Sequence, residues 1–307
     1  MKIVIVRQRP SIGDAILLQP LVREIRVAYP GAEIQAVTDT AYASGALKDA
    51  LWMAGIDKIW NISQFEWTTP GNKRISPQLR AVEEQPPQII RQADKVYDCN
   101  SAFMEYERSC GGKCTLGISD FWLQHFGFST ENSAPVLRTD PAVYDEVTEK
   151  LAGKTKPLVG IVLRSGDKAR DYDREIIPAL GTFLHTSGFI PVGLDPIMEM
   201  NSTYGFSIIG KPISFIAEAI SRMKLVITPD TGLLHIAQGL GIPTVSLWGI
   251  LDPALRTKGY DTLPVYTGGL CKKHGCPCCT WTFQQFSCTY SIRENHVISA
   301  LRQLLWR

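Results

Sequence analysis

Asp230, Thr231, Gly232 and His235 lie within twelve residues of two apolar runs, in the stretch Lys224–Gly249, KLVITPDTGLLHIAQGLGIPTVSLWG. The spacing predicts a strand over Leu225–Thr228, a tight turn, a helix from roughly Leu233 to Leu240, a stop at Gly241 and a second strand over Pro243–Trp248. Such a parallel βαβ unit puts its turn at the carboxyl end of a strand, where open α/β sheets hold their ligands. The chemistry available there is anion capture. The first N–H groups of a helix have no intrahelical partner and carry the positive end of its dipole, so a phosphate at Thr231, Gly232 and Leu233 is stabilised. Gly232 has no Cβ to hold a phosphate away, Asp230 or Thr231 can cap the helix, and His235 follows within one turn as a further donor. Plain capping and a structural histidine are the competing readings of the same residues.

The stretch TPDTGLLHIAQGLGIPTVSLWG closely resembles the nucleotide-sugar segment of glycosyltransferase family nine, the heptosyltransferases that build bacterial lipopolysaccharide. In that family the Asp-Thr-Gly and the following His contact the donor diphosphate, which falls here on Asp230, Thr231, Gly232 and His235. The opening of the chain resembles the family too. There an S-x-G-D segment precedes the first helix and supplies the catalytic base; here Ser11-Ile12-Gly13-Asp14 makes Asp14 that residue. A carboxylate at a strand-to-helix junction can take a proton from an acceptor hydroxyl while Gly13 lets the backbone approach substrate; from position alone Asp14 reads as a helix cap, and the resemblance is what favours the base. A lysine followed by Trp-Pro is usual further on in the family. This chain has Arg170-Asp171-Tyr172-Asp173 instead, so Arg170 takes the lysine's place, with Lys168 as the second candidate, a departure that bears on donor preference.

Composition sets the outer bounds. A chain of 307 residues, 45% apolar and 20% charged, is ordinary for a globular enzyme of two domains. A net charge of +2 argues against a dedicated nucleic-acid partner. The opening MKIVIVRQR runs from an apolar strand into a polar turn and no apolar run reaches spanning length, which leads to the expectation of a cytoplasmic protein.

Other elements must carry these residues. Lys2–Val6 reads as a buried strand, followed by a helix that starts late or kinks at Pro20 and a strand over Ile34–Val37. A helix in Ala41–Gly55, a strand in Ile56–Ile62 and another at Lys95–Cys99 continue the first half, and Asn100 and Ser101 then fall where acceptor contacts are expected. Ser63–Gln88, rich in proline, reads as an irregular surface excursion with a short helix near Ser76–Glu84, and could reach an acceptor through Trp67, Lys73 or Arg74. Phe121–Gly127, with His125, reads as core. Leu158–Leu163 opens the second half, and Arg164, Lys168 and Arg170 gather after it, before a helix starting near Asp173; cations there can neutralise a leaving diphosphate.

Cys276 and Cys279 have C-x-x-C spacing, and Cys271, Cys278, Cys288 and His274 lie near enough to complete a zinc site. No second paired motif follows, so buried or redox-labile thiols are the preferred reading and no metal is assigned. Ser291–Arg307 reads as a terminal helix with a Ser291/Glu294 capping box.

The resemblance implies an α/β fold of two facing Rossmann-like domains with a cleft between them, the type B glycosyltransferase architecture. Residues 1–140 would form the acceptor domain and 141–290 the nucleotide-sugar domain, with 291–307 packing back on the first. The activity it implies is inverting, metal-independent transfer of a sugar, expected to be a heptose, from a nucleoside diphosphate, expected to be ADP, to a hydroxyl of a glycan or glycolipid acceptor of the lipopolysaccharide type. No cofactor is required, and a glycolipid acceptor would suit peripheral contact with a membrane. The rival readings are a nucleotide-sugar epimerase of the same architecture, a non-catalytic nucleotide-sugar binder, and a zinc-stabilised nucleic-acid-binding protein.

Overall fold

The computed structural model describes residues 1–7, 10–39, 45–62, 88–110, 114–165, 170–172, 175–194, 205–249, 252–266 and 292–307. Residues 63–87, Lys168, Asp173, Ser291 and the cysteines from Cys271 to Cys288 therefore lie outside the described residues, with every expectation placed on them. The chain divides into two compact units, one of residues 1–111 and 118–133, the other of 112–117 and 134–307.

Each unit is built on one parallel sheet. In the first, strands β1 (Lys2–Val6), β2 (Glu33–Asp39), β3 (Lys58–Ile62) and β4 (Lys95–Asp98) lie in the order β3-β2-β1-β4. In the second, β5 (Leu158–Ile161), β6 (Ile190–Gly193), β7 (Phe206–Ser207), β8 (Leu225–Pro229), β9 (Thr244–Trp248) and β10 (Thr262–Tyr266) lie in the order β10-β9-β8-β5-β6-β7. The second order is that of a full dinucleotide-binding sheet and the first is its four-strand beginning. In both, the chain builds outward from its first strand and then returns to that strand's other side. The sheet thus reverses its order between β1 and β4, and between β5 and β8. Strands covered by helices on both faces are nearly continuous apolar runs, and β5, β8 and β9 are buried throughout, with Thr228, Thr244 and Ser246 as their polar members. β10 at the edge is only partly buried.

Most of the expected elements are present. The helix with Pro20 is broken into Ile12–Leu17 and Gln19–Ala28, with Pro20 in the first turn of the second piece, where its missing N–H is harmless. The Ser119 hydroxyl donates to the Leu17 carbonyl at 2.8 Å, at the end of the first piece. The helix Ile118–His125 is core only on the side of Trp122 and Leu123; His125 is exposed and stacks on Phe121 with ring centroids 5.5 Å apart. Gln124 and His125 end the helix in exposed positions, past its last buried pair.

The terminal helix, Glu294–Leu305, departs from expectation in its surroundings. Its stripe of Val297, Leu301, Leu304 and Leu305 completes the core of the second unit with Leu180, Leu184, Val245 and Leu247, not that of the first domain. Its first turn is closed by the Arg293 N–H donating to His296 Nδ1 at 3.2 Å. The second unit also begins at Ala134, before the expected boundary at 141, because the Leu137 N–H donates to the Gly239 carbonyl at 2.7 Å at the foot of the helix Gly232–Gly239.

That approach needs a residue without a side chain. A Cβ on Gly239 would lie 2.6 Å from Leu137 Cγ. Gly239→Ala is expected to lower unfolding free energy by ~1–3 kcal/mol in urea titrations, and Leu137→Ala in the same chain should recover part of the loss. A double variant no more stable than Gly239→Ala alone would place the strain elsewhere.

Candidate active site

The carboxyl ends of the strands beside each order reversal carry the polar residues. In the first unit Arg7 follows β1, and Ser11 starts the helix Ile12–Leu17. The Ser11 hydroxyl accepts from the Asp14 N–H at 3.1 Å, and Asp14 Oδ2 accepts from the Ser11 N–H at 3.0 Å, a reciprocal capping box. Asp14 thus closes the helix end, as its capping reading requires, from the third helical position instead of the first. The same Oδ2 accepts from Arg7 at 3.1 Å, and the other arm of that guanidinium donates to Asn100 Oδ1 at 3.2 Å. Asn100 is buried just past β4, where its N–H donates to Asp98 Oδ1 at 3.0 Å. Gly13 is buried within the first helical turn, and Ser101 opens the helix Ser101–Ser109. The structure therefore brings Asp14 and Asn100 together, and it does so through Arg7.

In the second unit the two predicted strand ends also meet. Arg170, after β5, donates to the Asp230 carbonyl at 2.8 Å and to its carboxylate at 3.1 Å, after β8. His235 Nε2 stands 3.7 Å from the other Asp230 oxygen, and the His235 side chain is 4% exposed. Burial by itself would raise the Asp230 carboxyl; the adjoining His235 imidazole, then Arg256 and Arg170, outweigh it and hold the group well below the usual carboxylate range. An ionised carboxylate repels a phosphate, so what Asp230 can do for an anion is indirect: it holds Arg170 and lies beside His235. Arg164 is drawn aside to Asp171 at 3.5 Å.

The helix Gly232–Gly239 starts with Thr231 as its N-cap, in extended backbone and with no capping bond from its side chain. Thr231 Oγ1 lies 3.2 Å from Thr228 Oγ1 instead. The opening amides of the helix at Gly232 and Leu233 are thus left without a side-chain cap, in half-buried surroundings beside Arg170. Helix N–H groups without a side-chain cap, a dipole and a partly exposed guanidinium are the groups with which a protein can hold a phosphate-type anion. Among the described residues no cluster of His, Cys, Asp and Glu could hold a metal, and no helix is long and apolar enough to cross a membrane.

Arg7 and Arg256 were not singled out from the sequence. Arg7 had a usable signal, since it is the first residue past the apolar run Ile3–Val6, as Arg164 is past the run Leu158–Leu163. Arg256 had none, because its bearing on Asp230 depends on the return of a later helix, Ala254–Thr257.

Removing the Asp230 charge while keeping its shape tests this arrangement. Asp230→Asn is expected to lower stability at neutral pH by ~1–3 kcal/mol, kept modest because Arg170 is 36% exposed. A carboxyl held low when folded contributes fully above its unfolded value of ~3.9 and loses that contribution as pH falls. The gap between wild type and variant should hold constant from neutrality down to about pH 5 and narrow below about pH 4 in urea titrations. A gap independent of pH throughout would show that Asp230 is not an ionised partner.

Residues 199–272 match the model of glycosyltransferase family 9 (heptosyltransferase). No curated protein matches the chain in sequence. Among solved structures, a family 9 glycosyltransferase from Veillonella parvula superposes with a TM-score of 0.72 at 16% identity, over 99% of this chain and 97% of that one. The E. coli ADP-heptose lps heptosyltransferase II gives 0.66 at 15% identity, over 100% and 99%. E. coli heptosyltransferase WaaC, solved with ADP-2-deoxy-2-fluoro heptose, gives 0.61 at 15%, over 99% of both chains. At such identities the superpositions speak for the fold, and the segment match, which contains the Asp230–His235 turn, speaks for the family. The chain therefore shares the fold of these structures, and its residues 199–272 are similar to glycosyltransferase family 9 (heptosyltransferase).

Proposed function

We propose that the chain transfers a heptose from ADP-heptose to a hydroxyl of a lipopolysaccharide-type glycan, with inversion and without a metal. The observation that carries this reading is the uncapped helix start at Gly232 beside Arg170, an anion site inside the segment that matches the family. The structures of relatives with ADP-2-deoxy-2-fluoro heptose and ADP support the choice of donor.

In this reading Asp14 takes the proton of the acceptor hydroxyl. The freed oxygen attacks the anomeric carbon, the bond from that carbon to the phosphate oxygen breaks, and its electron pair leaves with the diphosphate. Attack opposite the leaving group inverts the centre. The amides of Gly232 and Leu233 and the Arg170 guanidinium meet the charge that grows on the diphosphate, the task a divalent metal would otherwise have. Lys168 is the second cation for this role. Asn100, Ser101 and Gly13 belong to the acceptor side. The reading requires that both sets of residues act on one donor–acceptor pair. A sugar nucleotide made in the cytoplasm would place the reaction there, with the glycolipid acceptor bringing the protein to a membrane surface.

Thermal shift with ADP-heptose tests the donor, since a ligand of the folded state alone raises Tm with occupancy. Asp14→Asn should keep that shift while lowering kcat by roughly 10²–10⁴-fold. Equal loss of shift and turnover would make Asp14 structural, and turnover of donor without acceptor would favour an epimerase. Treatment with EDTA should leave kcat unchanged; a loss restored by one divalent ion would give the leaving-group role to a metal.

A further inference from the structure

We propose that Arg7 is the positioning residue of the base, fixing the Asp14 carboxylate against the end of β4 through Asn100; the inference rests on the reading of Asp14 given above. Arg7 lies at the order reversal of the first sheet, and its side chain is 13% exposed. Its two terminal nitrogens serve different elements, one meeting Asp14 Oδ2 at 3.1 Å and the other Asn100 Oδ1 at 3.2 Å. The guanidinium carbon stands 5.7 Å from the centre of the Trp122 ring, and that ring is held in turn by its Nε1–H donating to the Cys99 carbonyl at 2.9 Å.

A carboxylate that is to accept a proton from a bound hydroxyl must present one oxygen in a set direction. Arg7 and the Ser11 N–H both hold Oδ2, which stops rotation of the group and assigns proton acceptance to Oδ1. The capping box alone ties Asp14 to its own helix. Arg7 ties it to the sheet, and therefore to Asn100 on the neighbouring strand end. Two acceptors on two elements call for a planar fork with separated donors, which a lysine ammonium does not offer.

The test is a cycle of Arg7→Gln, Asp14→Asn and the double variant, assayed with ADP-heptose and heptose-deficient lipopolysaccharide. Arg7→Gln is expected to lower kcat about a hundredfold, the scale of a misplacement near 1 Å, without moving the KM for ADP-heptose. Arg7→Lys should recover part of the loss, and the double variant should be no slower than Asp14→Asn alone. Wild-type kcat in Arg7→Gln, or a double variant slower by the full Arg7→Gln factor, overturns the proposal. Should Asp14→Asn itself keep wild-type kcat, the base reading fails, whatever Arg7 does. Crystal structures of Arg7→Gln and Arg7→Lys decide the matter without substrate: the Asp14 carboxylate and the Asn100 amide are expected to turn from their wild-type positions, and retention of both positions overturns the proposal.

Discussion

In a parallel sheet, neighbouring connections leave the carboxyl edge in opposite directions only where the strand order reverses, and the backbone groups and side chains there are not covered by a crossover. Each unit has one such place, and each spans it with an arginine. Arg7 runs from the end of β1 to Asn100 beyond β4, and Arg170 runs from beyond β5 to Asp230 beyond β8. Everything proposed about chemistry depends on these two bridges, since they set where a carboxylate and an anion-binding helix end are held. The two are opposite in electrostatic sense. In the proposed function Arg7 attends the carboxylate that acts as base, whereas Arg170 is itself the group that meets the anion, with the Asp230 carboxylate as its partner.

The helix Gly232–Gly239 shows how packing and function share one short element. Its start is left uncapped because Thr231 engages Thr228, which spends a hydroxyl that would ordinarily satisfy the first amides. Its foot is sealed by the Leu137 N–H on the Gly239 carbonyl, with no space for even one extra methyl. One end is thus finished by the protein, and the other, without a side-chain cap, is the end to which the proposed function assigns the diphosphate. Buried Leu234, Ile236 and Ala237 fix the helix against its sheet, so the amides at Gly232 and Leu233 are presented by a rigid element.

For Asp14, capping and the base role proposed for it need not compete. Within the capping box its carboxylate gives up rotational freedom to the first turn of a helix, and a base whose direction is set has less entropy to lose when an acceptor hydroxyl arrives. The helix that carries it is short and ends at Leu17, where Pro20 breaks the run, so the residue sits on a small element clamped at both ends by Ser11 and Ser119.

Strand and helix order, the βαβ unit at Lys224–Gly249 and the break at Pro20 were legible in the chain because each follows from local rules: apolar runs, the 3.6-residue period, and the punctuation of glycine and proline. Of the candidate residues, Arg170 and Asp230 stood out as polar groups beyond predicted strand ends and His235 by its place one turn into the helix, whereas Asp14 was proposed as a base through the family resemblance, its position alone reading as a cap. The terminal helix and the partners of those residues were not. Which core Val297 and Leu301 would enter, that Arg7 would join Asp14 to Asn100, 93 residues on, and that Arg256 would bear on Asp230 all depend on how distant parts of the chain are brought together. Periodicity reports which face of an element is buried, whereas only the assembled sheet decides what stands beside it, because parallel neighbours are set by the crossovers and not by adjacency in the chain.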